Sequence, residues 1–299
     1  MKGIKRDLNK TIEHVMKLTE SPSKELFNQG FVNEGYTDGY LQALLDVKSA
    51  LSDESPGSRF WVNHREIGAL RKIVAESENI VFFGGAGVST ESGIPDFRSV
   101  DGLYNQEYDY PPETILSSGF FKNNTKEFYR FYRNKMIIDG IKPNQAHLRL
   151  AKLEHENKLK AVITQNIDGL HQMAGSKNVL ELHGSVHRCY CVECMKPRSL
   201  DIITEMDVPM CECGGIVKPD VVLYEEPLNH EILIQAANYI SQADVLIIGG
   251  TSLSVYPAAA LIYRYAGDKL VMINNSETSF DDRINLLIRT SIGYALGQV

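Results

Sequence analysis

The sequence predicts an α/β fold, a doubly wound Rossmann-like parallel sheet with a small inserted zinc-binding module and an N-terminal helical extension. From Glu66 onward, short apolar runs alternate with helical patterns, and parallel strands covered by helices on both faces have this continuous apolar character. Five cysteines between Cys189 and Cys213 interrupt the alternation. The chain of 299 residues is long enough for one large core and a small second module.

The predicted strands and helices alternate along the chain. The strands are Ile80–Phe83, Ala161–Thr164, Val179–Leu182, Val245–Ile248 and Leu270–Ile273. The helices are Glu66–Glu76, Lys126–Ile138, Gln145–Glu156, Ile232–Ile240 and Ala258–Tyr265. Because polar motifs follow the strands, and the carboxyl ends of parallel strands meet at one edge, we expect one cleft near a topological switch point.

Residues 1–60 form the predicted extension, and residues 61–299 form the predicted catalytic domain. Tyr40–Val47 has the apolar stripe of a helix, and Ser52–Ser58 contains the Pro and Gly typical of a linker. Two roles stay open for the extension. It packs on the catalytic domain, or it is an element that binds a partner or mediates oligomerisation.

Charge and hydropathy exclude several classes of protein. The net charge of −7 and the lack of a long Lys or Arg run argue against nucleic-acid binding through phosphate contacts. No apolar stretch approaches the ~20 residues that span a bilayer, and the polar start of the chain is followed by no apolar signal region. We therefore expect a cytoplasmic protein without membrane association.

The cysteines predict a metal site. Cys191 and Cys194 have C-x-x-C spacing, and Cys211 and Cys213 form a C-x-C pair. Four thiolates close a tetrahedral zinc shell and leave no open position, so the zinc should be structural. The module should span about residues 187–217. Cys189 is a fifth candidate ligand, and we expect it to be the spare thiol.

A glycine-rich turn follows the first strand. Gly85, Gly87 and Ser89 can bring backbone N–H groups and a hydroxyl close to a phosphate, although a tight strand-to-helix turn has the same composition. A stiff, polar loop, Pro95–Arg98, comes soon after and has the residues either for chemistry beside a nucleotide or for an ordinary surface ion pair.

Two more polar motifs follow strands. The amides of Gln165 and Asn166, with Asp168, can fix ribose hydroxyls and a carboxamide, or simply cap a loop. His183 ends a strand and precedes small residues, and an imidazole with a pKa near 6.5 suits a general base. His147 and His171 are interpreted as structural, and His187 as part of the approach to the zinc module.

Five ordered motifs resemble the signatures of the sirtuins, NAD-dependent protein lysine deacylases. The motifs are Phe82–Arg98, Thr164–His171, Glu181–Ser185, Lys218–Val222 and Gly249–Leu253. The resemblance covers the chain from about Glu66 to its C-terminus and leaves residues 1–60 outside.

The resemblance implies binding roles for named residues. Gln165 and Asn166 would bind the nicotinamide ribose, and Phe97 would shield it. Asp168 and Ile94 would bind the carboxamide. The full set of expected NAD-binding residues is Gly85, Ala86, Gly87, Ser89, Thr90, Ile94, Pro95, Asp96, Phe97, Arg98, Gln165, Asn166, Asp168, Gly250, Thr251, Ser252 and Asn274.

The resemblance also implies a substrate and a reaction. Lys218–Tyr224 would pair with an acyl-lysine peptide, and Val221 would line the tunnel for the lysine stem. His183 would act as the base while the acyl group passes to ADP-ribose and nicotinamide leaves, so NAD is consumed. Gly102–Pro112 contains no Arg, which disfavours strongly acidic acyl groups. Two rivals remain: NAD hydrolysis or ADP-ribosyl transfer, and a non-enzymatic NAD-sensing or peptide-binding module.

Overall fold

The computed structural model describes residues 59–96, 110–138 and 140–299. Almost all of the predicted extension, and the predicted roles of Phe97 and Arg98, therefore lie outside the described residues. Residues Ile67–Val299 belong to one compact unit. In the described part of the chain, no helix combines the length and apolar character needed to cross a membrane.

Six of the eight strands in the described part of the chain form one parallel sheet. The strands are β1 (Ile80–Gly84), β2 (Leu159–Thr164), β3 (Val179–Glu181), β4 (Gly184–Cys191), β5 (Val217–Val221), β6 (Val245–Gly249), β7 (Leu270–Ile273) and β8 (Leu286–Ile288). The sheet order is β3-β2-β1-β6-β7-β8, with every neighbouring pair parallel. The chain reverses its direction of travel across the sheet between β1 and β6, which is a topological switch point.

Helices connect the strands. They are α1 (Arg59–Glu76), α2 (Pro112–Ile115), α3 (Ser118–Asn123), α4 (Thr125–Lys135), α5 (Gln145–His155), α6 (Leu170–Met173), α7 (Asp201–Glu205), α8 (His230–Gln242) and α9 (Ile292–Gly297). The predicted helix at 258–265 is a 3₁₀ segment, Ala258–Arg264. It follows Pro257, which has no backbone N–H to donate.

The sheet is covered on both faces because successive side chains of each strand point to opposite sides. Ile80 and Phe82 of β1 belong to a core that includes residues of α1, α5 and α9. Val81 and Phe83 belong to a second core with α8 and the 3₁₀ segment. All four side chains are fully buried. The predicted doubly wound architecture is confirmed.

The cysteine module is built on an antiparallel hairpin of β4 and β5. It shares a third core with α4, in which Phe128 and Tyr129 pack near Cys189 and Val217. The Tyr129 hydroxyl donates to the carbonyl of Val217. The hairpin is thus held firmly against the helices that precede the second strand of the sheet.

Candidate active site

Two glycine turns meet at the switch point. The backbone N–H of Gly87 donates to the carbonyl of Gly250 over 2.8 Å. A Cβ on Gly85 would lie 2.7 Å from the Cβ of Thr251, and Gly250 has a φ of +56°. The glycines after β1 therefore permit close contact between two turns, a packing role that the phosphate interpretation did not include.

A hydrogen-bond network of the buried Ser89 and Asn166 with the half-buried Asp168 links the first turn to the loop after β2. The Ser89 hydroxyl donates to Asp168 Oδ2 over 2.6 Å, and Asn166 Nδ2 donates to Ser89 Oγ over 3.0 Å. Leu170 N–H donates to Asp168 Oδ1 over 2.9 Å. The structure thus brings together Ser89, Asn166 and Asp168, three of the predicted NAD-binding residues.

Strand β4 of the hairpin also contacts this loop. Val186 N–H donates to the carbonyl of Ile167, and His187 Nε2 lies 2.8 Å from the carbonyl oxygen of Asp168. Gly169 has a φ of +71°, and a Cβ there would lie 2.6 Å from the His187 ring. His187 therefore joins the cysteine module to the loop that carries Asp168, a contact that the sequence did not indicate.

Gln165 links three elements at the centre of the site. Its Oε1 accepts from the Thr251 hydroxyl over 2.9 Å, and its carbonyl oxygen lies 2.8 Å from His183 Nδ1. Its Nε2 is buried and has no hydrogen-bond partner among the described residues. A buried amide without a partner is costly, so this donor suits an oxygen of a bound ligand.

His183 has the geometry of a general base. A carbonyl oxygen only accepts, so its contact with Nδ1 places the proton of the neutral ring there and leaves Nε2 unprotonated. Burial lowers the pKa of His183 below its usual value, while the hydrogen bond to Gln165 acts in the opposite direction. The ring is therefore neutral at pH 7 and able to accept a proton at Nε2.

A cavity of about 90 Å³ lies beside the glycine turns at the carboxyl ends of the strands. Predicted residues Gly87, Thr90, Asp96, Gly250 and Asn274 line it, together with residues that the sequence analysis missed, Glu91, Asn275, Ser276 and Thr290. Thr290 follows β8. Because this strand was not predicted, the sequence analysis had no reason to select the residue after it.

The remaining predicted residues are placed less centrally. Ile94 N–H donates to the carbonyl of Ser89 over 3.2 Å, and Pro95 is exposed. Ser252 is exposed, and its hydroxyl lies 2.6 Å from that of Ser254. Ala86 opens a short 3₁₀ turn. Ala86 and Ile94 bond the backbone of Ser89, a member of the network of Asp168, whereas Pro95 and Ser252 are exposed.

His147 and His171 are buried, which fits their interpretation as structural residues. Their ring centroids are 4.7 Å apart. Burial lowers the pKa of both rings, and the neighbouring His147 lowers that of His171 further.

Asn144, which the sequence analysis did not single out, caps α5 through its Oδ1 and donates to the carbonyl of Val88 over 2.7 Å. It fixes α5 to the glycine turn.

The four predicted zinc ligands converge. The sulfurs of Cys191, Cys194, Cys211 and Cys213 all lie within 4.8 Å of one another. The Cys191–Cys213 and Cys194–Cys211 sulfur distances are 3.4 and 3.8 Å. Tetrahedral zinc with Zn–S bonds of about 2.3 Å requires sulfurs about 3.8 Å apart, so the cluster fits a structural zinc ion.

Two further residues, Cys189 and Arg198, lie beside the cysteine quartet. Cys189 is not in the quartet, as predicted, because its buried thiol donates to the carbonyls of Arg198 and Ser199 at 3.3 and 3.4 Å. Arg198 was missed, and its Nη2 donates to Cys211 Sγ over 2.7 Å. A guanidinium offsets the excess negative charge that four thiolates place on one zinc ion.

The fold and the site define a class of protein: a doubly wound nucleotide-binding α/β domain with a four-cysteine module and a histidine base at a strand end. Residues 85–257 match the model of the Sir2 family. A protein of Clostridium acetobutylicum named NAD-dependent protein deacetylase is 59% identical over 239 residues, which cover 78% of this chain and 98% of the relative. One of the same name from Sulfolobus acidocaldarius is 41% identical over 242 residues, 78% of this chain and 94% of the relative.

Solved structures agree. A Sir2 structure with a deacetylated p53 peptide and 3′-O-acetyl ADP ribose is 40% identical with a TM-score of 0.72, covering 78% of this chain and 96% of that one. A Sir2 structure with p53 peptide and NAD is 40% identical with a TM-score of 0.69, covering 77% and 95%. This chain belongs to the Sir2 family.

Proposed function

We propose that this chain is an NAD-dependent protein lysine deacetylase that transfers the acetyl group of an acetyl-lysine to ADP-ribose and releases nicotinamide. The observation that carries the proposal is His183, whose Nδ1 is held by the Gln165 carbonyl at 2.8 Å while Nε2 is left to accept a proton. The relatives named NAD-dependent protein deacetylase support the same reaction.

The residues at the switch point fit NAD. The buried, unpartnered Nε2 of Gln165 can donate to a ribose hydroxyl, and the small cavity lined by Gly87, Gly250 and Asn274 can receive part of the dinucleotide. Asp168, held by Ser89 and Leu170, keeps a carboxylate fixed for a carboxamide. Bound NAD supplies an electrophilic ribose carbon whose bond to nicotinamide can break. Phe97 and Arg98 stay predicted contacts of NAD.

His183 would take a proton from a ribose hydroxyl. Its lowered pKa keeps the ring neutral at physiological pH, and a general base must be unprotonated to act. The Gln165 carbonyl orients the ring, and Gln165 also bonds Thr251. Gln165 therefore ties the base to the nucleotide-binding turns, through its backbone carbonyl on one side and its side chain on the other.

The acetyl-lysine would approach His183 beside Val221. Val221 is opposite Gly184 in the hairpin, and Gly184 directly follows His183 in the chain. A Sir2 structure with an acetylated peptide, 39% identical with a TM-score of 0.70, supports this class of substrate. The lack of Arg in Gly102–Pro112 favours a neutral acyl group.

The cysteine quartet would hold zinc for structure only, since four thiolates leave no open coordination position. We assign catalysis to residues 61–299 and place the enzyme in the cytoplasm. All named site residues lie at or after Gly85. For residues 1–60, packing on the catalytic domain and binding a partner remain alternatives.

One assay separates this proposal from its rivals. The full chain is incubated with NAD and an acetyl-lysine peptide, and the products are identified by mass spectrometry. O-acetyl-ADP-ribose with deacetylated peptide supports deacetylation. ADP-ribose with intact acetyl peptide indicates an NAD hydrolase, and unchanged NAD and peptide indicate a binding module. Either of the last two results overturns the proposal.

A further inference from the structure

Lys218 of β5 is a buried cation with two oxygen partners. The residue is 4% exposed. Its Nζ donates to Glu226 Oε2 over 2.9 Å and to the carbonyl of Val221 over 2.7 Å, and it lies 6.0 Å from the centre of the Tyr190 ring. A buried charge persists only where it is paired and hydrogen-bonded, so these contacts fix the lysine in one position.

Glu226 closes a turn with the same carboxylate oxygen. Its Oε2 also accepts from Leu223 N–H over 3.0 Å, and its own N–H donates to the carbonyl of Leu223 over 3.0 Å. The Lys218–Glu226 clamp, meaning this ion pair together with its bonds to Val221 and Leu223, therefore ties both ends of segment 221–226 together.

The clamped segment contacts the backbone of the candidate base. Val222 N–H donates to the carbonyl of His183 over 2.9 Å. Gly184 has a φ of +76°, and a Cβ there would lie 2.0 Å from the carbonyl oxygen of Asp220. Position 184 therefore has no room for a side chain, and the end of β5 is in direct contact with the backbone after His183. A shift of the end of β5 consequently moves the backbone of His183.

The far side of the segment is fixed to the connection between α2 and α3. Tyr224 N–H donates to the carbonyl of Leu116, and the Tyr224 carbonyl accepts from Ser118 N–H, both over 2.9 Å. Removing the clamp therefore frees only the side of the segment that contacts His183, while Tyr224 stays anchored.

We infer that the Lys218–Glu226 clamp positions Val221 and the His183 backbone for the acetyl-lysine, so that Lys218 and Glu226 are positioning residues for the peptide substrate and not for NAD. The inference rests on the proposed function. Neither residue contacts the Ser89–Asn166–Asp168 network or lines the cavity beside the glycine turns. We therefore expect loss of the clamp to weaken binding of the peptide and not of NAD.

The test is steady-state kinetics of Lys218→Met with an acetyl-lysine peptide and with NAD. Methionine is unbranched and only one atom shorter than lysine, and it removes the charge. We expect the peptide KM to rise about 10-fold to 100-fold, since misplacement of about 1 Å has effects of that size, while the Kd for NAD, measured by calorimetry, changes less than about twofold. Lys218→Arg, which keeps the charge and donors, should recover part of the loss.

Two further variants guard against a trivial result. Glu226→Gln keeps an acceptor for Leu223 and loses the charge, so it should raise the peptide KM less than Lys218→Met and covers the case in which that variant does not fold. Lys158→Met is the matched control, because Lys158 Nζ also holds backbone carbonyls, those of Val74 and Ala75. It should lower the melting temperature and leave the peptide KM unchanged.

The outcomes are distinct. An unchanged peptide KM in folded Lys218→Met or Glu226→Gln overturns the inference about the clamp. A loss of NAD affinity as large as the rise in peptide KM also overturns it. A wild-type chain that leaves the acetyl peptide intact overturns the proposed function, and the inference about the clamp, which rests on that function, is then wrong as well. A raised peptide KM with intact NAD binding supports both.

Discussion

Gly87 and Gly250 are in backbone contact: Gly87 N–H donates to the Gly250 carbonyl over 2.8 Å, and a Cβ on Gly87 would lie 2.8 Å from Gly250 Cα. The two glycines follow strands that are neighbours at the switch point, β1 and β6. Their contact sets the width of the cleft in which we place NAD, so a side chain at either position must push the turns apart.

Gly87→Ala should therefore weaken NAD binding and lower the free energy of unfolding. Overpacking of this kind typically costs about 1–3 kcal/mol, and the measurements are calorimetric titration with NAD and urea unfolding. Gly68→Ala is the matched control, because a Cβ on Gly68 in α1 meets nothing within 4 Å. It should leave NAD binding intact and stabilise the helix by up to about 1 kcal/mol. Equal NAD affinity in Gly87→Ala and wild type would contradict this account.

Cys191→Ser or Cys211→Ser should release about one equivalent of zinc and unfold the hairpin module, because structural zinc binding is coupled to local folding. Cys189→Ser should retain the metal, since its thiol bonds carbonyls outside the quartet. Metal analysis of the purified variants tests both statements. Loss of zinc from Cys189→Ser with retention in Cys194→Ser would show that the quartet is misassigned.

The buried pair of His147 and His171 should make the fold sensitive to acid. Burial lowers the pKa of both rings in the folded protein, so the unfolded chain takes up protons near pH 6.5 while the folded protein does not. Stability is then complete above pH 6.5 and falls as the pH drops below it, by about 1.4 kcal/mol per pH unit for each proton.

His171→Phe tests this acid sensitivity. Neither ring nitrogen of His171 has a hydrogen-bond partner among the described residues, so phenylalanine removes a titrating group without breaking a bond. Urea unfolding at pH 8, 6 and 5 should show a smaller loss of stability in the variant than in the wild type. Parallel losses in the two proteins would exclude this histidine as a source of the acid effect.

Much of the fold was predictable, because buried parallel strands have a strong local signal. Each of the five predicted strands exists within two residues of its expected bounds. β8 was missed because Leu286–Ile288 has only three residues and polar neighbours. The zinc quartet followed from cysteine spacing. The contacts of Arg198 and His187 could not be found in this way, since their partners are sulfurs or backbone groups that only tertiary packing brings near. Asn144 had a local signal, because Asn before a helix is typical of an N-cap, but its bond to Val88 depends on tertiary packing.

Removal of residues 1–58 should leave catalysis largely intact, because every site residue named here lies at or after Gly85. The comparison is kcat/KM for an acetyl-lysine peptide in the full chain and in a chain that starts at Arg59. Melting temperature and oligomeric state are measured alongside. A folded truncation with a large loss of kcat/KM would place the extension in the mechanism.

His183→Ala is the most direct test of the central claim. The variant loses the base and keeps the turns that would hold NAD, so turnover should fall by about 10²–10⁴-fold while the Kd for NAD, measured by calorimetry, stays close to that of the wild type. The measurement is the rate of O-acetyl-ADP-ribose formation from NAD and an acetyl-lysine peptide. A folded His183→Ala protein that retains more than a tenth of wild-type turnover would contradict the account.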